Sequence, residues 1–238
     1  MDNVRGKEHP LLDIVGLTKT YCRRNGQPIN ALNGISLSVF QGEFVVLTGL
    51  SGSGKTTLLN ILGALDRPTS GAVIFEGKNV VKLSSVELAT LRRSKIGFVF
   101  QTFNLLPSLT VYENLEVALI HSEVSKKERR KQITALLDSF ELADMSDRLP
   151  LELSVGQQQR VAMARALANE PVLVLADEPT GEMDPVAGRE IAAKLRELNS
   201  GRKVTVIVAS HGTFPCNQKD RGVFIRNGKI VSQKEAGY

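Results

Sequence analysis

The stretch Gly49 to Thr57, GLSGSGKTT, has the form GxxxxGK[ST], a spacing that builds a cradle for a polyphosphate. Gly49, Gly52 and Gly54 let the backbone bend until successive N–H groups point inward, and a helix starting near Lys55 adds the positive end of its dipole. Lys55 is expected along the β- and γ-phosphates and the Thr56 hydroxyl on Mg2+. Ser51, Ser53 and Thr57 complete the expected ATP-binding set. A second chemical feature is VLVLADEP, Val172 to Pro179, a buried strand ending in two carboxylates, where an open α/β sheet carries its ligand site. Asp177 is expected to reach Mg2+ through water, and Glu178 to polarise the attacking water. Paired with the glycine cradle, these carboxylates point to hydrolysis of a nucleoside triphosphate.

Such a site needs a rigid sheet to carry it. Glu43 to Thr48 reads as a buried strand and Thr57 to Leu62 as the helix after the glycine loop. Apolar or β-branched runs recur at Val45 to Leu47, Ile96 to Phe100, Val172 to Ala176 and Val204 to Ala209, separated by helical patterns. That alternation predicts a mainly parallel α/β sheet. Leu11 to Phe40 has strand-like segments without a helix, which predicts an antiparallel β flap ahead of the loop. From Thr102 to Leu153 helical patterns dominate. Thr110 and Glu113 form a capping box before Val111, Leu115, Ala118 and Leu119, which share one helical face. The run KKERRK, Lys126 to Lys131, opens a helix whose apolar positions are Ile133, Leu136, Leu137 and Phe140.

Composition narrows the alternatives. A chain of 238 residues with 42% hydrophobic content can bury a sizeable core, as one large domain or a domain with a subdomain. Cys22 and Cys216 lack ligand spacing, so neither a disulfide framework nor a zinc site is expected, and a reducing compartment fits. The N-terminus MDNVRGKEHP does not resemble a signal peptide, and no run approaches the ~18 apolar residues that cross a bilayer. The net charge of +5 is mostly dispersed. Its dense cluster, KKERRK, reads as a solvated helix face rather than a lipid or nucleic-acid contact.

With these parts in order, the chain resembles the ATP-binding-cassette ATPases over nearly its whole length. LSVGQQQR, Leu153 to Arg160, is similar to the family signature LSGGQ and precedes the carboxylate strand as it does there. Gln101 in IGFVFQ matches the Q-loop glutamine, Asp184 in GEMD the D-loop aspartate, His211 in VASH the switch histidine, and Tyr21 in LTKTY the aromatic that stacks on adenine. Leu88 to Leu115 resembles the subgroup of macrolide exporters, lipoprotein-release ATPases and the cell-division cassette.

The resemblance implies a P-loop NTPase core of the RecA-like kind. An antiparallel β subdomain and an inserted α-helical subdomain complete it. Residues 1–10 form a tail and 11–238 one ATPase domain, with the core at about 11–101 and 159–238 and the helical subdomain at about 102–158. It implies ATP and Mg2+ as cofactors, with Thr56, Gln101 and Asp177 toward the metal, and Lys55, Gln101, Glu178 and His211 as catalytic residues. Ser154, Gly156, Gln157 and Asp184 would serve the site of a second copy, across an ATP-held homodimer. Spacing alone leaves open whether a helix from Gln157 to about Ala168 faces its own Asp177 or a partner's site. The implied partner is an integral-membrane permease, with the chain peripheral on the cytoplasmic face of the inner membrane, moving a lipoprotein, peptide or macrolide-like substrate. The alternative is a nucleotide-gated assembly module of a cell-division or envelope-remodelling complex. Nucleic acid is not an expected partner, because one cassette stands here without a coiled-coil insertion or a second cassette.

Three positions depart from the family pattern. Val155 replaces the usual glycine of the signature, which predicts slower ATP-driven dimerisation, mildly so if the position is already helical. Met183 replaces leucine, a volume-conserving change expected to be quiet. Gly212 replaces an aspartate, and Gly212 to Asp220 resembles the family least.

Overall fold

On the strand β3 (Phe44–Thr48), Val45 and Leu47 pack into one hydrophobic layer while Phe44 and Val46 pack into another. The same alternation runs through β7 (Leu173–Asp177) and β8 (Thr205–Ser210): Leu173, Leu175, Ile207 and Ala209 join the first layer, and Val174, Ala176, Val206 and Val208 the second. A strand buried on both faces cannot alternate apolar with polar, so it reads as a continuous apolar run. That is why these strands were legible from the sequence.

The computed structural model describes residues 9–121, 124–212 and 214–236. Residues 1–8 of the expected tail and Thr213 of the divergent segment lie outside the described residues. Ahead of and after β3, the chain forms β1 (Leu12–Cys22), β2 (Pro28–Val39), α1 (Lys55–Leu62), β4 (Ser70–Phe75), β5 (Lys78–Asn79), α2 (Ser85–Lys95) and β6 (Ile96–Val99). It continues through α3 (Val111–Leu119), α4 (Lys126–Ser139) and α5 (Val155–Ala166) to β7, then α6 (Pro185–Arg202), β8, β9 (Arg221–Arg226), β10 (Lys229–Val231) and α7 (Gln233–Ala236).

Two sheets result. The larger has the order β10-β9-β3-β8-β7-β6, parallel from β9 through β6, with β10 antiparallel at one edge. The smaller, β2-β1-β4-β5, is wholly antiparallel and is the expected flap. It packs with α1 on one face of the large sheet, and α3, α4, α5 and α6 cover the other. In the helical region α3 begins on Thr110 with the expected capping box, and α4 buries Ile133, Leu136 and Leu137 beneath an exposed row of basic residues.

Parallel pairing brings the C-terminal ends of β3, β6, β7 and β8 to one edge, with Thr48 beside Ser210, Asp177 beside Ala209 and Val99 beside Ala176. From that edge emerge the glycine loop, Gln101, the carboxylate pair and His211. Segments distant in sequence therefore converge where such a sheet places its ligand.

Candidate active site

The glycine loop runs directly into α1, whose N-cap is Gly54 at φ 108° with no side chain capping it. The first-turn N–H groups stay available, the arrangement that binds phosphate. A Cβ at Gly54 would lie 2.5 Å from the Ala31 carbonyl oxygen, and one at Gly49 would lie 2.2 Å from that of Ile225. The loop is thus held by the flap below and by the β9–β10 hairpin beside it. Lys55 is buried, and its Nζ donates to the carbonyls of Gly49 at 2.8 Å and Leu50 at 3.2 Å. Burial pulls its pKa down, while the charges of Glu178 and Asp177 push the other way. Ser53 is buried with its Oγ unpartnered among the described residues, while Ser51 and Thr56 are exposed and Thr57 half-buried. A buried hydroxyl without a partner, an uncapped helix end and a sequestered ammonium fit an anionic ligand seated on this loop.

Across from it, Thr56 Oγ1 donates to Asp177 Oδ1 at 3.2 Å. Burial raises the Asp177 carboxyl above the ordinary range; the Thr56 hydrogen bond opposes this, and the Glu178 charge adds to it. These hard oxygen donors suit Mg2+, which takes few protein ligands beside the phosphates of a nucleotide. Gln101, the third residue expected at the metal, turns its amide elsewhere: Nε2 donates to Glu182 Oε1 at 3.1 Å.

Glu178 occupies the left-handed region at φ 47°, an uncommon conformation for a non-glycine residue that marks sites where surrounding structure overrides local preference. Its N–H donates to Ala209 O at 2.9 Å and its carbonyl accepts from Gly181 at 3.0 Å. This sharp turn brings the Glu178 carboxylate against Nδ1 of His211 from the end of β8. Behind the turn, Gln159 of α5 is fully buried and donates to Pro179 O at 2.9 Å.

Tyr21, one residue before the end of β1, lies near the first turn of α1. Its hydroxyl donates to Asp66 Oδ2 at 2.7 Å, and the Lys19 ammonium lies 4.8 Å from the ring centroid. Burial raises its pKa and the Asp66 hydrogen bond adds to this, while a hydrogen bond from Thr57 opposes them.

The signature residues lie elsewhere. The helix α5 begins at Val155, not at Gln157 as the spacing predicts, because Ser154 is the N-cap. Ser154 Oγ accepts from Gln157 N at 3.3 Å, and Gln157 Oε1 accepts from Ser154 N at 2.9 Å. This closed capping box carries the helix back over Val155 and Gly156. Val155 is therefore helical, the case in which its replacement of glycine is mild for the backbone. Asp184 caps α6 with its side chain alone, accepting from Val186 N at 2.8 Å and Ala187 N at 3.1 Å, and these bonds hold its pKa below the usual carboxylate range. Ser154, Gly156, Gln157 and Asp184 line one groove of about 510 Å³ that contains no residue of the loop Gly49–Thr57.

Several supporting residues carry no local sequence signal. Arg165 on α5 donates to Asn104 O at 2.6 Å and Phe103 O at 2.9 Å, pinning the segment just past Gln101, where both residues have positive φ. Arg196 on α6 pairs with Asp220 at 2.6 Å and lies 5.3 Å from the Phe214 ring centroid, anchoring the divergent segment after His211. The hydrogen-bonded pairs among these join residues 24 to 62 positions apart, so only the folded chain reveals them.

Comparison with known proteins agrees with this geometry. Residues 32–181 match the family model described as ABC transporter. An uncharacterized ABC transporter ATP-binding protein of Thermotoga maritima is 48% identical over 209 residues, 88% of this chain and 89% of that protein. The macrolide export ATP-binding/permease protein MacB of Brucella melitensis is 46% identical over 224 residues, 94% of this chain but 34% of that protein. The present chain thus spans about a third of that relative's length. Among solved structures, the ATP-binding cassette MJ0796 in a dimeric post-hydrolysis state with ADP and Pi gives a TM-score of 0.85 at 42% identity, covering 93% of this chain and 97% of that one. A further match is cbiO1 from Clostridium perfringens, with a TM-score of 0.82 at 29% identity, covering 94% and 88%. A phosphate loop, a carboxylate turn and a cassette likeness that spans nearly the whole chain lead to one assignment: the protein belongs to the ABC transporter family, as an ATP-binding and ATP-hydrolysing domain.

Proposed function

We propose that the chain works as one half of a nucleotide-held pair that powers a separate integral-membrane permease. Adenine stacks on Tyr21, the triphosphate lies on Gly49 to Thr57 with Lys55 along its terminal phosphates, and Thr56 and Asp177 would hold Mg2+, joined by Gln101 once its amide leaves Glu182. The metal supplies charge neutralisation at the phosphates when bound. Glu178 accepts the proton of the attacking water, and His211 orients that carboxylate through Nδ1 while its ring lies toward the γ-phosphate. Ser154, Gly156, Gln157 and Asp184 face the nucleotide of the second copy, each charge-assisted bond contributing roughly 1.5 to 3 kcal/mol.

The observation that carries this reading is that Ser154, Gly156, Gln157 and Asp184 line one groove whose lining includes no residue of Gly49–Thr57. A helix start that shares its groove with no phosphate loop of its own chain is completed by another copy's nucleotide. Hydrolysis removes the bonds that hold the pair, and opening moves the helical subdomain, residues 102–158, against the core. Arg165 and Gln159 tie α5 to the Gln101 segment and to the carboxylate turn, so the motion has a physical route.

Among the described residues no helix is long and apolar enough to cross a membrane. A peripheral position on the cytoplasmic face of the inner membrane, held by the permease, follows from the proposal. The names of the MacB relative and of a pyoverdine export protein, PvdT of Pseudomonas fluorescens, 46% identical over 223 residues, support an exporter. The substrate class we assign is a lipoprotein, peptide or macrolide-like molecule.

The test is the Glu178→Gln variant sized with and without Mg-ATP. A nucleotide-dependent dimer without turnover is expected; a monomer under saturating Mg-ATP would overturn the paired mechanism. Isolation from native membranes with a polytopic protein attached is the expected result for the permease, and recovery without one counts against it.

A further inference from the structure

Tyr21 is not an unsupported ring on a strand end. Its hydroxyl donates to Asp66 Oδ2 at 2.7 Å, and the Lys19 ammonium donates to Asp66 Oδ1 at 2.7 Å and to the Arg67 carbonyl at 2.7 Å. Lys19 is mostly buried, with its side chain 13% exposed, and it sits 4.8 Å from the centre of the Tyr21 ring. Asp66 is itself held: its carboxylate accepts from Arg67 N at 2.7 Å, and its own N–H donates to Asn60 of α1 at 3.2 Å. Neighbouring bonds from Thr20 N to Thr69 Oγ1 at 2.9 Å and between the Thr18 and Ser70 hydroxyls at 2.7 Å stitch the same turn to β1.

A phenol ring on a short strand end has two soft torsions, and stacking on it costs the freedom it must give up. Here the far end of the ring is tied to a carboxylate, and one face is taken by a cation anchored to that same carboxylate. Ordering is done before any ligand arrives. We propose that Asp66 and Lys19 are positioning residues that lock Tyr21 as a one-faced platform, on which the purine of ATP stacks on the side opposite the Lys19 ammonium. This rests on the proposal that adenine occupies Tyr21, and it goes beyond it by naming the two residues that set the platform's orientation and its open face.

The lock acts on the base and not on the phosphates, so its test separates the two. ATP and inorganic tripolyphosphate, which has no base, serve as probes of the full-length chain. Asp66→Ala is expected to raise KM for ATP roughly five- to tenfold, the scale of one base–aromatic stack. The kcat at saturating ATP stays within about twofold, and inhibition by tripolyphosphate is unchanged. Tyr21→Ala is expected to do the same, and the double variant to add nothing further, because both remove one device. Asp66→Asn keeps an oxygen for the Tyr21 hydroxyl and is expected to restore most of the affinity.

If Asp66→Ala leaves KM for ATP unchanged while Tyr21→Ala raises it, the lock is refuted and the platform stands. Should Tyr21→Ala also leave KM unchanged, the adenine site on Tyr21 falls and the lock with it. Equal weakening of ATP and tripolyphosphate by Asp66→Ala and Asp66→Asn overturns the proposal as well, since it marks a general disturbance of the fold.

Discussion

The carboxylate of Glu178 and the imidazole of His211 meet directly across the ends of β7 and β8, His211 Nδ1 donating to Glu178 Oε2 when that nitrogen carries the proton. Because the carboxylate sits at the tip of a left-handed turn, its direction is set by backbone and histidine together. His211→Ala removes the second of these. The expected outcome is a loss in kcat of about 100-fold or more with KM for ATP changed little, measured by steady-state phosphate release. A variant retaining a third of its turnover would show that the turn alone orients Glu178.

Asp177 gives a pH-dependent stability of determined sign. Burial raises its pKa in the folded protein, so folding is favoured while the group is protonated, and that contribution is lost as pH rises through the folded value. At neutral pH the ionised carboxylate therefore opposes folding of the nucleotide-free chain. Asp177→Asn is expected to raise the nucleotide-free, metal-free Tm at pH 7, with the gain fading toward about pH 4, where an unfolded aspartate protonates. The same variant should lose magnesium-dependent turnover. A lower Tm at neutral pH would contradict the argument.

Gly52 and Gly54 separate two reasons for glycine in one loop. Both have positive φ, 75° and 108°, but a Cβ at Gly52 meets nothing within 4 Å among the described residues, whereas one at Gly54 strikes the Ala31 carbonyl. Gly52→Ala is expected to cost about 1–2 kcal/mol from backbone strain alone. Gly54→Ala must also displace the flap, and is expected to cost at least twice as much. Urea unfolding of both variants without nucleotide measures the difference.

For Val155, helical backbone removes conformational strain and leaves only side-chain bulk at the rim of the signature groove, where the residue is 42% exposed. Val155→Ala and Val155→Gly are then expected to strengthen ATP-driven dimerisation equally and modestly, by less than about fivefold, within the usual range of surface changes plus relief of crowding. The readout is ATP titration of dimer formation in the Glu178→Gln background. A marked advantage of glycine over alanine would point to a backbone need instead.

Much of this protein was legible in residue order because the relevant physics is local. The apolar run Val172 to Ala176 is too short for a buried helix and ends in two carboxylates, which suits a strand buried on both faces, and Thr110 with Glu113 ahead of an apolar helical face marks a helix start. Gly52 and Gly54 of GSGKT supply the positive φ through which the cradle bends, a demand legible within the loop, although Gly54 also makes room for the Ala31 carbonyl. The same capping logic would have found α2 through Ser84 and Glu87, and the start of α5 at Val155 through Ser154 and Gln157. The short strands β9 and β10 gave no such signal, because β9 buries only Val223 and Ile225 and the three residues of β10 bury none.

Other features exist only once the chain has closed on itself. The Tyr21–Asp66–Lys19 cluster joins residues 45 and 47 positions apart. Gln101 finds Glu182, and Arg196 finds Asp220, through packing that no spacing encodes. The orientation of Glu178 depends on a backbone conformation that its residue type disfavours, so only surrounding structure could impose it. Sequence spacing left open which phosphate loop the signature helix faces, and the three-dimensional arrangement weighs on that question by putting Ser154 and Asp184 in one groove without Gly49–Thr57. The division is physical: hydrophobic periodicity, helix caps and glycine turns are decided within a few residues, whereas the meeting of distant side chains depends on how parallel strands align their ends.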